Sequence, residues 1–182
     1  RNASRGMNKN NGDDKTKKAL PKNKNSNNKN INIKTNNIMA EEKKFRVESD
    51  LLGELKVPAD ALYGVQTQRG INNYHISRKT MRDYPDFIIA IAYVKLAAIE
   101  TNHTLGVIND EISGAIGQAC REIIAGKWHE NFPIDMVQGG AGTSVNMNAN
   151  EVIANRALEI MGHEKGDYQF CSPNDHCNCG QS

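Results

Sequence analysis

The run Gln138-Gly139-Gly140-Ala141-Gly142-Thr143-Ser144-Val145-Asn146-Met147-Asn148 gathers three glycines, two hydroxyls and several side-chain amides directly ahead of an apolar, helix-like stretch. Such a loop can bind an anion. Glycines let main-chain N–H groups approach a ligand closely, a helix N-terminus presents unpaired donors with a positive dipole end, and Thr143 or Ser144 adds a hydroxyl. A small carboxylate is the ligand this chemistry suits best. A Walker loop is excluded by the missing Gly-Lys-Ser/Thr ending, and the glycine spacing is wrong for a dinucleotide fingerprint. The plain alternative is a glycine turn followed by a Ser or Asn helix cap.

A second concentration of hydrogen-bonding groups lies at Ser172-Pro173-Asn174-Asp175-His176-Cys177-Asn178-Cys179-Gly180-Gln181-Ser182. Cys171, His176, Cys177 and Cys179 could be read as zinc ligands, but paired Cys-x-x-Cys spacing is absent, and incidental thiols are the better reading. No metal site is therefore expected. His75, His103, His129 and His163 sit in unrelated contexts and read as surface or capping residues rather than as general bases.

These residues need elements to position them. Gly53, Pro58, Gly64 and Gly70 punctuate Phe45 to Tyr74, which predicts short strands or turns rather than a long helix. Asp83 and Asp86 flank Pro85 ahead of Phe87, Ile88, Ala90, Ile91, Val94, Leu96, Ala98 and Ile99, a nearly all-round apolar helix of the kind that is buried, stopping near Gly106. A second helix starts at Asn109 or Asp110 as N-cap, presents Ile112, Ala115, Ile116, Ala119 and Ile123 on one stripe, and ends at Gly126. A third is predicted from about Asn148 to Met161, with Gly162 as its stop. Beyond Gly166 the chain turns polar and irregular.

Composition divides the 182 residues unevenly. Residues 1–38 hold twelve Asn and eight Lys, no aromatic residue and a local charge of +8, against +2 for the whole chain. They have too little to bury to repay the entropy of ordering, so a disordered Asn/Lys-rich extension is expected there. Met39 has the look of a true start, which raises the question of whether the extension is native. The organisation expected is this extension, a domain over 39–170, and the beginning of an active-site segment at 171–182. The basic tail has no aromatic residues for base stacking, so no specific nucleic-acid partner is expected. The most apolar run, Phe87 to Ile99, is too short to span a bilayer and is interrupted by Lys95, and no secretory signal stands at the start. A cytoplasmic protein with reduced cysteines and no membrane association is the expectation.

Gln138 to Asn150 followed by Glu151-Val152-Ile153-Ala154-Asn155-Arg156-Ala157 closely resembles the first glycine-rich block of aspartate ammonia-lyases, in the aspartase/fumarase superfamily. The resemblance extends to Phe45-Arg46-Val47-Glu48, to Val57-Pro58-Ala59-Asp60-Ala61-Leu62-Tyr63-Gly64-Val65-Gln66-Thr67, and to Ser172-Pro173-Asn174-Asp175-His176. Tyr63 to Thr67 and Gly139 to Ser144 favour aspartase over class II fumarase, which carries a different turn and loop at these places. Cys177 departs from the apolar residue, such as Val, usual there.

The resemblance implies a mainly α fold: a small amino-terminal domain with a few short strands or turns and about three helices, lacking the central helical bundle of the superfamily. It implies a lyase that reversibly deaminates L-aspartate to fumarate and ammonia, with class II fumarate hydratase or a non-catalytic carboxylate-binding protein as alternatives. Substrate-binding residues carried over are Ala141, Gly142, Thr143, Ser144 and Ser182, and Asn174 and Asp175 align with a secondary anion site of fumarases. No catalytic residue is expected within this chain, because the serine-bearing loop that supplies the family's base has no counterpart in it. The chain alone is accordingly expected to be inactive. No cofactor is implied, although a divalent cation such as Mg modulates family enzymes. The full-length assembly implied is a homotetramer, so apolar surface that would face the bundle should be exposed in this chain.

Overall fold

The computed structural model describes residues 44–179, which belong to one compact unit. The expectations for residues 1–38 and for Ser182 lie outside the described residues. Two strands open the fold, β1 (Phe45–Asp50) and β2 (Gly53–Pro58), paired antiparallel with Phe45 opposite Pro58 and Asp50 opposite Gly53. Alternation along β1 turns Arg46 and Glu48 inward while Phe45 and Val47 stay exposed. Arg46 uses its planar fork to collect the carbonyls of Pro58, Ala61 and Tyr63 at 2.8, 2.8 and 2.6 Å. This ties the hairpin to the segment that follows.

That segment holds a helix the punctuation argued against, α1 (Val65–Asn73). Gly70 is in its interior for a steric reason: a Cβ there would come within 2.6 Å of Ile134 Cδ1. Gly64, immediately before it, is crowded in the same way. Both glycines mark close approach rather than chain reversal, which is why they mislead a reading based on breakers.

Three longer helices follow: α2 (Pro85–Thr104), α3 (Asp110–Ile124) and α4 (Thr143–Met161). Pro85 takes the first position of α2, where its missing N–H costs nothing. Asn109 caps α3 as expected, its side chain accepting from Ile112 N at 2.9 Å. Helix α3 packs against both α2 and α4, and its Ala115, Ile116, Ala119, Cys120 and Ile123 form the middle of the core with Ile88, Ala92 and Ile99 of α2 and Val152, Ile153, Ala157 and Leu158 of α4. The mainly helical architecture agrees with the sequence reading, with four α-helices among the described residues instead of three.

Two other expectations need correction. Helix α2 is apolar all round but is not buried all round: Ile88, Ala92, Lys95 and Ile99 face the core, whereas Phe87, Tyr93 and Val94 are exposed. Helix α4 starts five residues before Asn148, because its first turn, Thr143 to Asn146, is exposed or half-buried and polar apart from Val145, which an apolar-periodicity argument does not count. No described helix is long and apolar enough to cross a membrane.

Helices α3 and α4 are also joined by charge. Arg156 Nε and Nη2 donate to Glu122 Oε2 and Oε1 at 2.7 and 3.1 Å, Trp128 Nε1 donates to Glu122 Oε2 at 2.8 Å, and the guanidinium lies 5.1 Å from the Trp128 ring centroid. The Arg156 hydrogen bonds, more than any other cause, hold the Glu122 carboxyl at about 2, below its ordinary 4.5. A carboxyl with a lowered folded-state value contributes stability that is present above its ordinary value and lost on acidification. The stability difference between parent and Glu122→Gln should therefore be full above pH 4.5 and disappear as pH falls to about 2. Thermal midpoints of both proteins across that interval check this, and a difference independent of pH would contradict it.

Candidate functional site

The glycine-rich loop is anchored at its start by Asp135. This carboxylate accepts from Ile76 N, Ser77 N and Val137 N at 2.9, 2.9 and 2.8 Å, and from Ser77 Oγ at 2.6 Å. The Ser77 hydroxyl, with the three main-chain donors, holds the Asp135 carboxyl down at about 2. Beyond this anchor Gln138 reaches across the loop, and its Oε1 accepts from Val145 N at 3.0 Å.

Between these fixed points Gly140 and Gly142 have φ of 75° and 83°, a backbone region that side chains resist. Gly142 is the N-cap of α4 and supplies no side-chain cap, so neither Ser nor Asn caps this helix. Thr143 and Ser144 instead form its first two helical residues. Among the described residues, Val145 N is taken by Gln138 and Asn146 N by Gly142 O, and no partner accepts from the N–H of Thr143 or Ser144. The loop thus leaves two main-chain donors and a partly exposed pair of hydroxyls at the positive end of a nineteen-residue helix. Ala141 and Thr143 are exposed, and Gly142 and Ser144 are half-buried. The structure therefore brings together Ala141, Gly142, Thr143 and Ser144 as one turn with unpaired main-chain donors at the head of α4.

Asn174 and Asp175 stand elsewhere, in a π-helical turn, Pro173–Asn178. Both are exposed, and their main-chain N–H groups donate to Ser172 Oγ at 3.2 and 3.1 Å, so an anion there would have to be met by side chains. His176 Nδ1 accepts from Ser172 N at 2.8 Å, while Cys171 and Cys177 point into the core. Burial pushes the Cys177 thiol well up, and Cys120 up to about 12, which makes both unreactive at neutral pH. Among the described residues no three His, Cys, Asp or Glu side chains are arranged to hold a metal ion.

Sequence reasoning missed the polar network beneath the loop. Lys95, 2% exposed, projects from α2 into the protein, where Nζ donates to Asn146 Oδ1 at 2.8 Å and to Asn178 Oδ1 at 3.3 Å. Asn146 Nδ2 and Asn150 Nδ2 donate to the same Asn178 oxygen at 3.0 and 3.3 Å. Asn102, two turns on from Lys95, donates to the Cys179 carbonyl at 3.3 Å. The one available signal was a lysine inside an otherwise apolar run, read there only as an interruption.

Comparison with known proteins gives these residues a context. A family model described as "Lyase" matches residues 53–182. The chain belongs to this lyase family. The aspartate ammonia-lyase of Pseudomonas fluorescens is 51% identical over 145 residues, which is 80% of this chain and 30% of that protein. A solved structure of fumarate lyase:delta crystallin from Brucella melitensis matches with a TM-score of 0.75 and 47% identity over 76% of this chain and 32% of its own. Class II fumarase from Schistosoma mansoni matches with a TM-score of 0.70 but only 38% identity, over 76% of this chain and 29% of its own. The resemblance to aspartate ammonia-lyases therefore stands, and so does the superfamily fold. The lyase chain spans about 30% of the length of the curated relatives it matches.

Proposed function

We propose that this chain contributes the carboxylate-binding turn of an enzyme that interconverts L-aspartate with fumarate and ammonia. The observation that carries the reading is the first turn of α4, where Thr143, following Gly140 and Gly142 at positive φ, offers a hydroxyl beside free main-chain donors. Deamination removes a proton from Cβ of aspartate, and its electron pair forms the C=C bond of fumarate as the Cα–N bond breaks and ammonia leaves. In between, negative charge gathers on the carboxylate attached to Cβ. Donors held rigidly beside that carboxylate stabilise the charge more than they stabilise the substrate, which lowers the barrier. Ser182 joins Thr143 in this reading as a second hydroxyl donor. The base is supplied by residues other than these, and the reaction proposed needs no organic cofactor.

The 51% identity to an aspartate ammonia-lyase against 38% to a class II fumarase favours ammonia over water as the second substrate. Exposed Phe87, Tyr93 and Val94 on α2, with Leu51 and Leu52 at the hairpin tip, support assembly with further apolar surface. The reading takes that assembly to be a cytoplasmic homotetramer. The test is consumption of fumarate by the natural polypeptide carrying this sequence, with and without ammonium. Ammonium-dependent loss of fumarate is expected, and Thr143→Val should lower kcat/KM about a hundredfold by removing a donor to the developing charge. Ammonium-independent formation of malate would replace the reading with a hydratase, and binding of fumarate without turnover would replace it with a non-catalytic carboxylate binder.

A further inference from the structure

Lys95 is a buried ammonium whose hydrogen bonds go to two asparagine carbonyls instead of to a carboxylate. Desolvation of the ammonium lowers its proton affinity. An isolated buried cation is costly, and volume-matched apolar residues usually serve a core at least as well. What Lys95 supplies that an apolar residue could not is a fixed link between two separate parts of the chain. Asn146 belongs to α4, on the same side as Thr143 three residues before it and Asn150 four residues after it. Asn178 ends the π-helical turn, four residues ahead of Ser182. Lys95 touches both, and Asn146 and Asn150 close the set by donating to the same Asn178 oxygen. A carbonyl that receives three donors is held against rotation and translation, and the Asn102 bond to Cys179 O fixes the next residue independently.

We infer that Lys95 is a positioning residue: through Asn146 and Asn178 it sets the alignment of the π-helical turn, Pro173–Asn178, against the head of α4, where Thr143 lies. The inference rests on the proposed function, in which Thr143 and Ser182 bind the same substrate. Lys95 itself makes no contact with that substrate. The link makes α2 part of the site's scaffold, although none of its residues belongs to the glycine-rich loop or to the segment after Pro173.

The experiment compares the natural polypeptide with Lys95→Met, which keeps the side-chain volume and removes the donors. Val152→Ala, a core truncation outside the network, serves as the control. Lys95→Met should lower kcat/KM for L-aspartate about a hundredfold, the scale of a misplacement of roughly 1 Å. Amide hydrogen exchange over 173–179 should rise about tenfold while exchange in α3 stays unchanged, because only the clamped segment is released. The control should lose thermal stability without either change. Should Lys95→Met fail to fold, Asn146→Ala removes one side of the link and carries the same two expectations. Parent-like kcat/KM together with parent-like exchange in a folded variant overturns the positioning role. If the parent itself turns over no substrate, the proposed function fails, and the exchange comparison still decides whether Lys95 holds the segment.

Discussion

Gly64→Ala is expected to cost about 3 kcal/mol of stability, lowering the thermal midpoint by on the order of 10 °C. Gly64 has an ordinary extended φ of −115°, so backbone strain is not the reason. The reason is space. A Cβ at this position would overlap Tyr168 Oη, lie 2.6 Å from Glu48 Oε2 and lie 2.9 Å from the Glu151 carboxyl carbon. None of the three can withdraw freely. Tyr168 Oη donates to Glu48 at 3.1 Å and accepts from Asn155 at 3.0 Å, Glu48 accepts from Val65 N at 2.9 Å, and Glu151 is buried on α4. Gly114→Ala is the informative comparison, since nothing lies within 4 Å of its Cβ position on the exposed side of α3. There alanine should stabilise by about 0.5–1 kcal/mol through helix propensity. Equal midpoints for the two variants would show that the crowding around Gly64 relaxes without cost.

The same contrast explains which parts of the molecule could be read from its residues. Helix α3 was legible because each local signal agrees with its packing: Asn109 caps it, an apolar stripe faces the core, and Gly126 follows at φ 88°. The glycine-rich loop was legible too, in residue type and in its placement before a helix. The start of α4 was not, because Thr143, Ser144 and Asn146 in its first turn show no apolar period, and further along the fully buried Asn148, Asn150 and Asn155 behave as core residues. Asn148, Asn150 and Asn155 all act as tertiary connectors: Asn148 Nδ2 donates to Asn131 O at 2.9 Å, Asn150 Nδ2 to Asn178 Oδ1 at 3.3 Å, and Asn155 Nδ2 to Leu62 O at 2.7 Å. An asparagine carries no mark in sequence that separates this use from a surface one. Gly64 and Gly70 misled for the related reason that closeness to another element is a property of the folded chain. Lys95 combines both difficulties, being a residue type that belongs on a surface and a partner set drawn from α4 and from the turn before Cys179.

Glu151 shows what the buried polar layer contributes and offers the largest single-residue effect. Its Oε2 accepts from Gly64 N and Thr67 N at 2.9 and 3.0 Å, and its Oε1 accepts from Gln66 N at 2.8 Å, so one carboxylate meets the unpaired donors at the start of α1. Glu151→Ala would strand these N–H groups in the interior and leave a void, a loss of about 4 kcal/mol. That is a large part of the stability of a typical domain. Glu151→Gln keeps one acceptor oxygen, which can serve Gly64 and Thr67 but turns an N–H donor toward Gln66 N, and should cost about 1–3 kcal/mol. Its pH dependence should run opposite to that of Glu122. Desolvation raises the Glu151 carboxyl above its ordinary 4.5 in spite of the three donors. A raised carboxyl holds its proton more tightly in the folded chain, so its contribution is full below pH 4.5 and declines as pH rises through the folded-state value. The stability gap between parent and Glu151→Gln should therefore narrow from pH 4 to pH 7, whereas the Glu122→Gln gap is lost toward acid. Chemical denaturation of both variants at these two pH values decides the point. A Glu151→Gln gap that widens with pH would mean that the α1 donors outweigh burial and that the carboxylate is held ionised in the core.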